Sequence, residues 1–185
     1  MFSITSNKFD EKYYEVYKYG IEILLSTVID VVLIVFFGTL FGNTLNGLLY
    51  LIVFIPLRQF TGGFHAKTHL RCTLCSISVF SLICFINVFL FPYINIIALE
   101  VFILLGFIVI VIYAPVINVN KILTEKKAKI NKKRSIILYW IICLFALIIF
   151  PINVHYSGMI FLTVSSIILM ILLEEILKAV RGYKR

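Results

Sequence analysis

Long apolar runs separated by short polar connections constrain this chain more than any other feature of its sequence. The runs extend over about residues 20–41, 44–57, 73–94, 96–117, 135–152 and 156–177. Of the 185 residues, 62% are apolar, whereas soluble domains are usually about half apolar. Because the bilayer core offers no water to the backbone, each run must pair its own peptide groups and is predicted to be an α-helix. We therefore expect an all-α, polytopic integral membrane protein with a single membrane domain, residues 1–185.

The distribution of basic residues predicts six transmembrane helices. All 17 Lys and Arg fall in four places: the stretch up to Lys18, the interval 58–71, the interval 121–134 and the stretch from Lys178 onward. The connections at 42–43, 95 and 153–155 hold none. Six crossings place every basic residue on the cytoplasmic side, together with both termini, as the positive-inside rule requires. The second run is short for a span, but without its crossing the charges at 58–71 would lie outside.

The residues before the first run are predicted to form an interfacial amphipathic helix. Phe9, Tyr13 and Tyr17 fall on one helical face, so residues 1–19 are expected to lie in the headgroup layer. No apolar core precedes a small-residue cleavage site, so no removable signal peptide is expected. The net charge of +8 is distributed for membrane orientation and contact with anionic lipid headgroups, and no nucleic-acid partner is predicted.

One polar interval, residues 56–75, carries the residue types that perform chemistry: PLRQFTGGFHAKTHLRCTLC. We expect a catalytic loop on the cytosolic side over 58–72, with Cys72 in the first turn of the third span. A helix N-terminus and the positive charges of Lys67 and Arg71 favour the thiolate there, which is the nucleophilic form. Cys75 lies one turn deeper and is the weaker candidate. Cys84 and Cys143 lie within apolar runs and are predicted to be buried hydrophobic residues.

Two histidines are candidate bases for Cys72. His69 is three residues away and would be its neighbour on a continuous helix. His65 is seven residues away, about 10.5 Å of helical rise, so the two groups meet only if the chain breaks or folds back. Gly62 and Gly63 make such unusual backbone geometry accessible. Helical geometry alone favours His69, and the spacing leaves both histidines open.

Other interpretations of this interval also stay open. His65, His69 and Cys72 have a spacing that suits zinc ligands, but no carboxylate lies between Pro56 and Cys75 to serve as a base. No metal or other cofactor is therefore predicted. Cys72 and Cys75 form a CxxC without the βαβ context of thioredoxin-like motifs. The same residues would also suit a helix start at the membrane interface with no catalytic role.

A few charged and polar residues lie elsewhere in or beside the spans. Asp30 and Asn87 fall inside spans, and Asp30 is interpreted as a functional or interhelical contact without an assigned role. Glu100 falls in the first turn of the fourth span, where the helix dipole accommodates it. Glu174 and Lys178 have i,i+4 spacing and are predicted to pair. The basic interval 118–134 is predicted to be a lipid-facing loop, with a docking surface for an acidic peptide as the alternative.

The pattern R-x-x-x-G-G-x-H-A, followed by a cysteine seven residues after the histidine, resembles the accessory gene regulator B (AgrB) family. These are membrane cysteine endopeptidases of Gram-positive quorum sensing. The sequence Tyr113-Ala114-Pro115 before a basic interval and the amphipathic start before YGIEILLSTVID extend the resemblance over most of the chain. The motif residues are Arg58, Gly62, Gly63, His65, Ala66 and Cys72.

The family resemblance implies an enzyme of the bacterial cell membrane with Cys72 as nucleophile and His65 as its partner. The implied substrate is an AgrD-like signal peptide precursor, whose C-terminal tail is released as an acyl-enzyme thioester forms. The precursor's own Cys or Ser then attacks that thioester, which gives a cyclic thiolactone or lactone. The resemblance also implies a homodimer.

The resemblance assigns no role to His69, Cys75 or Gln59. Gln59 and backbone N–H groups near Gly62 and Gly63 are candidates for stabilising the oxyanion. Arg58 is a candidate for binding a peptide carboxylate, or alternatively a charge that only orients the second span. Six spans and an intramembrane Asp30 also suit two alternative functions: an exporter of a signal peptide without peptidase activity, and a non-catalytic membrane partner of a signalling system.

Overall fold

The described part of the molecule is a bundle of helices. The computed structural model describes residues 14, 21, 25, 27–40, 43–62, 69–116 and 125–180, with the backbone alone for 69–71. Every regular element in these ranges is helical, which confirms the all-α prediction. The helices are α1 (Thr27–Leu40), α2 (Thr44–Thr61), α3 (His69–Phe89), a 3₁₀ helix (Phe91–Tyr93), α4 (Ile96–Tyr113), α5 (Glu125–Ile149) and α6 (Val154–Val180).

Among the described residues, four stretches of helix are long and apolar enough to cross a membrane: α2, the part of α3 from Cys72 onward, α4 and α6. An 18-residue helix such as α2 or α4 spans about 27 Å at 1.5 Å per residue, close to the ~30 Å of a bilayer core. The helix α1 is shorter as described, and α5 begins with a run of basic residues. The interfacial helix predicted for 1–19 lies outside the described residues, apart from Tyr14.

Asparagines start three of the helices. The side-chain oxygen of Asn43 accepts a hydrogen bond from Leu45 N at the start of α2, and that of Asn95 accepts from Ala98 N at the start of α4. Asn153 does the same for Tyr156 N at the start of α6. The first N–H groups of a helix have no intrahelical partner, and these side chains supply one. The three caps lie in the connections that carry no basic residue.

Two helices differ from the predicted boundaries at their polar ends. The helix α2 continues to Thr61 instead of ending at residue 57, since the backbone first leaves helical geometry at Gly62. The interval 118–134 is not a loop throughout, because α5 already begins at Glu125. Lysine, arginine and alanine are good helix formers, so the basic run extends the helix before its apolar part. At about 37 Å, α5 exceeds the thickness of a bilayer core.

The helix α6 is the centre of the bundle and packs against α2, α3, α4 and α5. Its buried hydroxyl groups bond to backbone carbonyls, as Thr163 does to Met159 O at 2.6 Å and Ser157 does to Ala146 O of α5 at 2.8 Å. Tyr139 of α5 donates to Ile103 O of α4 at 2.7 Å. Such pairing lets polar side chains sit inside an apolar bundle without unpaired donors.

Helices that follow one another in the chain run in opposite directions, so the helix ends meet in two groups. At one end, Asn87 of α3 donates to His155 O at the start of α6 at 2.9 Å. At the other end, the last residues of α2 meet the residues that follow α4, and Arg134 of α5 lies over the Phe60 ring with 5.6 Å to its centroid. The second group holds Arg58 and the start of α3, and therefore the candidate site.

Candidate functional site

Cys72 lies three residues after His69, where the described part of α3 begins. Its side chain is half-buried, whereas Cys75 is exposed. The unpaired N–H groups at a helix N-terminus carry partial positive charge, which favours an anion within the first turn. Cys72 is therefore helical and close to the described start of α3, and its predicted place in the first turn stays a prediction.

Arg58, in the last turn of α2, is turned into the bundle. Its Nη1 donates to the Met170 sulfur of α6 at 3.1 Å, and its guanidinium carbon lies 5.5 Å from the centre of the Phe54 ring. The side chain is half-buried by these contacts. Arg58 therefore has contacts inside the protein, which neither sequence interpretation of it anticipated.

Cys72, Tyr50, Cys75 and Glu174 are the ionisable side chains around the Arg58 guanidinium among the residues that the structure describes. A positive charge beside a thiol stabilises the thiolate over the thiol. The sequence attributed such an influence to Lys67 and Arg71. The residue at 67 and the side chain at 71 lie outside what the structure describes.

Gly62 ends α2 by pairing with the segment that follows α4. Val116 N donates to Thr61 O at 2.8 Å, and Gly62 forms a parallel β-bridge with Val116. The Gly62 backbone has φ 72° and ψ −149°, a region that only glycine adopts readily. A Cβ at this position would lie 2.6 Å from Val116 O. The first glycine of the GGxHA motif is therefore required both by its backbone angles and by the close approach of Val116.

The interval 56–75 is not one straight helix, as cooperation between His65 and Cys72 demands. The chain leaves α2 at Gly62, and α3 is described from His69 onward. His69 lies three residues before Cys72 on the same helix, which is the geometry that favours it as a neighbour. His65 and Gly63 lie outside the described residues, so the partnership of His65 with Cys72 stays a prediction.

The candidates for oxyanion stabilisation differ in whether they already have a hydrogen-bond partner. Gly62 N–H donates to Arg58 O at 2.9 Å, so this N–H is engaged in ending α2. The Gln59 side chain is exposed in the last turn of α2. Gln59 and the backbone N–H groups near Gly62 and Gly63 stay candidates, although the Gly62 N–H already donates to the end of α2.

Glu174 is the residue at this site whose role the sequence interpretation missed. It was predicted to pair with Lys178, but Lys178 Nζ pairs with Glu175 Oε1 at 2.8 Å, and Glu174 is only 5% exposed. Its position continues the buried stripe Ile160, Val164, Ile167, Ile171 at alternating spacings of four and three. That spacing, which marks one face of a helix, was the available signal that Glu174 points into the bundle.

Tyr50 and Asp30 add two more polar groups behind the site. Tyr50 is fully buried in α2, and its hydroxyl and one oxygen of Asp30 lie buried without a hydrogen-bond partner. Tyr50 interacts electrostatically with Arg58 and with Asp30 of α1. Asp30 therefore has an interhelical neighbour, in line with one of the two interpretations given to it.

The structure also bears on the remaining cysteines and on the metal hypothesis. Cys84 and Cys143 are buried, which confirms that they are hydrophobic core residues, and none of the four cysteines is in a disulfide. Within the described ranges, no three His, Cys, Asp or Glu side chains cluster as metal ligands do. Two members of the hypothetical zinc triad, His65 and the His69 side chain, fall outside that description.

Comparisons with known proteins agree with the motif. Residues 2–173 match the family model described as Accessory gene regulator B. The chain is 32% identical over 135 residues to an AgrB-like protein of Clostridium perfringens strain SM101, and 30% identical over 146 residues to AgrB-like protein 2 of strain 13. Each match covers 69% of this chain and 63% of the relative, so the chain spans less than two thirds of each relative's length. No solved structure matches the chain.

Proposed function

Because the chain belongs to the accessory gene regulator B family of the agr quorum-sensing system, we propose that it is a membrane-embedded cysteine endopeptidase. Its substrate is an AgrD-like signal peptide precursor, from which it cleaves the C-terminal tail. Cys72 is the nucleophile and His65 its base. The single observation that carries this proposal is the family match over residues 2–173, which includes the GGxHA motif and Cys72.

Two positive influences converge on the thiol of Cys72. The N-terminus of α3 contributes the partial charge of its backbone N–H groups, and Arg58 contributes a full charge from α2. Coulomb energy between neighbouring charges is several-fold larger in a partly buried site than in water. Cys72 is half-buried, whereas Cys75 is exposed, so Cys72 is the proposed nucleophile.

The reaction then proceeds in two acyl transfers. The Cys72 thiolate attacks the carbonyl carbon of the scissile peptide bond, and His65 passes the thiol proton to the leaving amine of the tail. The precursor's own Cys or Ser next attacks the thioester carbonyl, which closes a thiolactone or lactone and returns Cys72 as thiolate. Because a thioester keeps its acyl reactivity, ring closure needs no further activation, and a site at the membrane boundary limits competing water.

The proposed enzyme crosses the bacterial cell membrane six times with both termini in the cytoplasm. The charge pattern supports this topology, and so does the grouping of Arg58, Arg134 and Lys178 at the same end of α2, α5 and α6. A ribosomally made precursor would then meet Cys72 on the side where it is synthesised. Anionic lipid headgroups would contact the exposed lysines at the start of α5, and the enzyme would act as a homodimer.

Mass spectrometry of a co-expressed precursor tests the proposed function. The wild-type protein should shorten the precursor and yield a cyclised fragment. This fragment should be lighter than the linear, hydrolysed fragment by one water molecule. Cys72→Ala should reduce cleavage by about 10⁴-fold or more, as loss of a nucleophile does, because no other thiol at the site has the same charge environment. Cys75→Ala should keep most of the activity and serves as the matched control.

Three outcomes would contradict this function. A precursor that leaves the cell at unchanged mass indicates an exporter, and one that stays unchanged inside indicates a non-catalytic partner. Equal loss of cleavage in Cys72→Ala and Cys75→Ala would indicate a paired-thiol or metal site instead of a single nucleophile.

A further inference from the structure

A groove runs along the outside of the bundle between α2 and α5. It has a volume of about 310 Å³, and its floor is Ile160 of α6. Every described residue that lines it is apolar, and some of these side chains stay largely exposed, such as Ile52 at 67% and Ile141 at 58%. Because α2 is a membrane-length apolar helix, the α2–α5 groove opens toward the acyl chains of the bilayer.

The α2–α5 groove follows the axes of its two helices. The lining residues are spaced by three and four along each helix: Leu49, Val53 and Pro56 on α2, and Leu138, Ile141 and Phe145 on α5. Such spacing marks one face of a helix. The two helices are antiparallel, so Pro56 and Leu138 form the same end of the groove.

A cation lies at that end. Phe60 is one turn beyond Pro56, Arg134 is one turn beyond Leu138, and the Arg134 guanidinium carbon is 5.6 Å from the centre of the Phe60 ring. Arg134 is exposed, and a guanidinium stacked on a ring keeps its N–H donors available in its own plane. This face of α5 therefore changes from cationic to apolar within one turn, about 6 Å of helix.

An anionic phospholipid fits this combination of features. Its acyl chain would occupy the apolar groove, and its phosphate would accept hydrogen bonds from an arginine at the groove's end. Basic sites between transmembrane helices on the cytoplasmic side bind anionic headgroups in this way. A second helix fits less well, because helices in contact within a membrane are enriched in Gly, Ala, Ser and Thr, none of which is among the described residues that line the groove.

We propose that the α2–α5 groove binds one anionic phospholipid, with an acyl chain along the groove and the phosphate at Arg134. This differs from general attraction between headgroups and the lysines of α5, because it assigns one cation on one helical face. Phe60 lies two residues before Gly62, so the bound lipid would also support the end of α2. The site does not depend on the proposed peptidase activity.

Native mass spectrometry of the full-length protein in detergent tests the headgroup contact. Phosphatidylglycerol is the anionic probe, and phosphatidylcholine with the same acyl chains is the neutral comparison. We expect the protein to retain phosphatidylglycerol in preference, and Arg134→Gln to weaken that retention about fivefold, as loss of one cation near an anionic headgroup does. Lys133→Gln is the matched control. It removes the same charge from an exposed neighbour that the helix turns about 100° away, and it should retain the lipid as the wild type does.

Two tryptophan variants test the acyl-chain contact. Ile52→Trp fills the α2–α5 groove and should lower the retention of phosphatidylglycerol. Leu169→Trp, at a position that is 65% exposed in a groove between α4 and α6, should leave retention unchanged. Glycerol 3-phosphate, which has the phosphate but no acyl chains, should compete only weakly with the lipid.

Thermal unfolding in detergent gives a second measurement. Each variant is first unfolded without added lipid, which shows whether it is folded. Because a ligand that binds only the folded state stabilises it, phosphatidylglycerol should raise the wild-type midpoint by about 2–4 °C. The rise should be lost in Arg134→Gln and Ile52→Trp and kept in Lys133→Gln and Leu169→Trp.

Several outcomes would overturn the proposal. Equal losses in Arg134→Gln and Lys133→Gln would indicate charge attraction without a site, and equal retention of the two lipids would remove the role of the cation. A protein dimer that Ile52→Trp dissociates would assign the groove to a second copy of the chain. Loss of precursor binding in Ile52→Trp at unchanged lipid retention would assign it to the peptide. None of the lipid measurements needs cleavage, so they stand or fall separately from the endopeptidase assignment.

Discussion

At the scale of single residues, different arguments favour each of the two histidines near Cys72 as its base. His69 is the first described residue of α3 and is three residues from Cys72, so helical geometry alone makes it the nearer base. The family motif instead assigns the base to His65, which is separated from Cys72 by the end of the interhelical segment. Gly62 shows that the chain has already left helical geometry before His65. The break that His65 requires would lie between residues 65 and 72, beyond Gly62, and stays a prediction.

Alanine substitution of each histidine decides between the two bases. We expect His65→Ala to reduce precursor cleavage by about 10²–10⁴-fold, the usual contribution of a general base, and His69→Ala to retain most of the activity. The readout is the initial rate of tail release by mass spectrometry, with membrane levels of each variant matched by immunoblot. A dead His69→Ala beside an active His65→Ala would reverse the assignment.

Some residues of the site could be placed from the sequence and others could not, for physical reasons. The placement of Cys72 near the start of a helix was predictable, because it depends on where one polar interval gives way to an apolar run. The contacts of Arg58 were not predictable, since they depend on which face of α6 meets the end of α2. Glu174 was misassigned because i,i+4 spacing to a lysine looks sufficient until burial is known.

At the scale of elements, the end of α2 is fixed by another element far along the chain. The hydrogen bond from Val116 N to Thr61 O and the bridge at Gly62 attach α2 to the segment after α4. The asparagine caps made the other turns predictable, since each lies where an apolar run begins. No local signal predicts a bridge between residues 62 and 116, because it depends on how α2 and α4 pack around α6.

We expect Gly62→Ala to disrupt this bridge. A Cβ would lie 2.6 Å from Val116 O, and the backbone angles would cost an L-residue about 1–3 kcal/mol. Thermal unfolding in detergent should show a lower midpoint, and cleavage should fall because the segment leading to α3 starts from a displaced position. Thr61→Ser, which keeps the hydroxyl bond to Leu57 O, is the matched control. Wild-type stability and activity in Gly62→Ala would show that the bridge is dispensable.

At the scale of the whole molecule, composition and charge were the most informative features. The apolar runs predicted a helical membrane bundle, and six crossings remain the topology that places all basic residues on one side. The boundaries were less predictable at polar ends, where α5 begins well before its apolar part. The pattern of apolar residues predicts the part of a helix that lies in the bilayer core, and not the part that extends into water.

Labelling of single cysteines tests the six-crossing topology. The background lacks the native cysteines, and a membrane-impermeant maleimide is applied to intact cells. Tyr93→Cys and Ile152→Cys, at positions that are 87% and 79% exposed, should be labelled from outside. Lys127→Cys, on the exposed part of α5, should be labelled only after permeabilisation. Labelling of Lys127→Cys in intact cells would show that α5 has the opposite orientation.

The site takes its parts from α2, α3 and α6, and this has a consequence for the order of synthesis. About a hundred residues separate Cys72 from Met170, the residue of α6 that Arg58 contacts, and a ribosome adds them in roughly 5–20 s. During that interval the nascent chain already contains Cys72 but not the helix against which Arg58 rests. The end of α2 therefore reaches its final packing only after α6 has inserted.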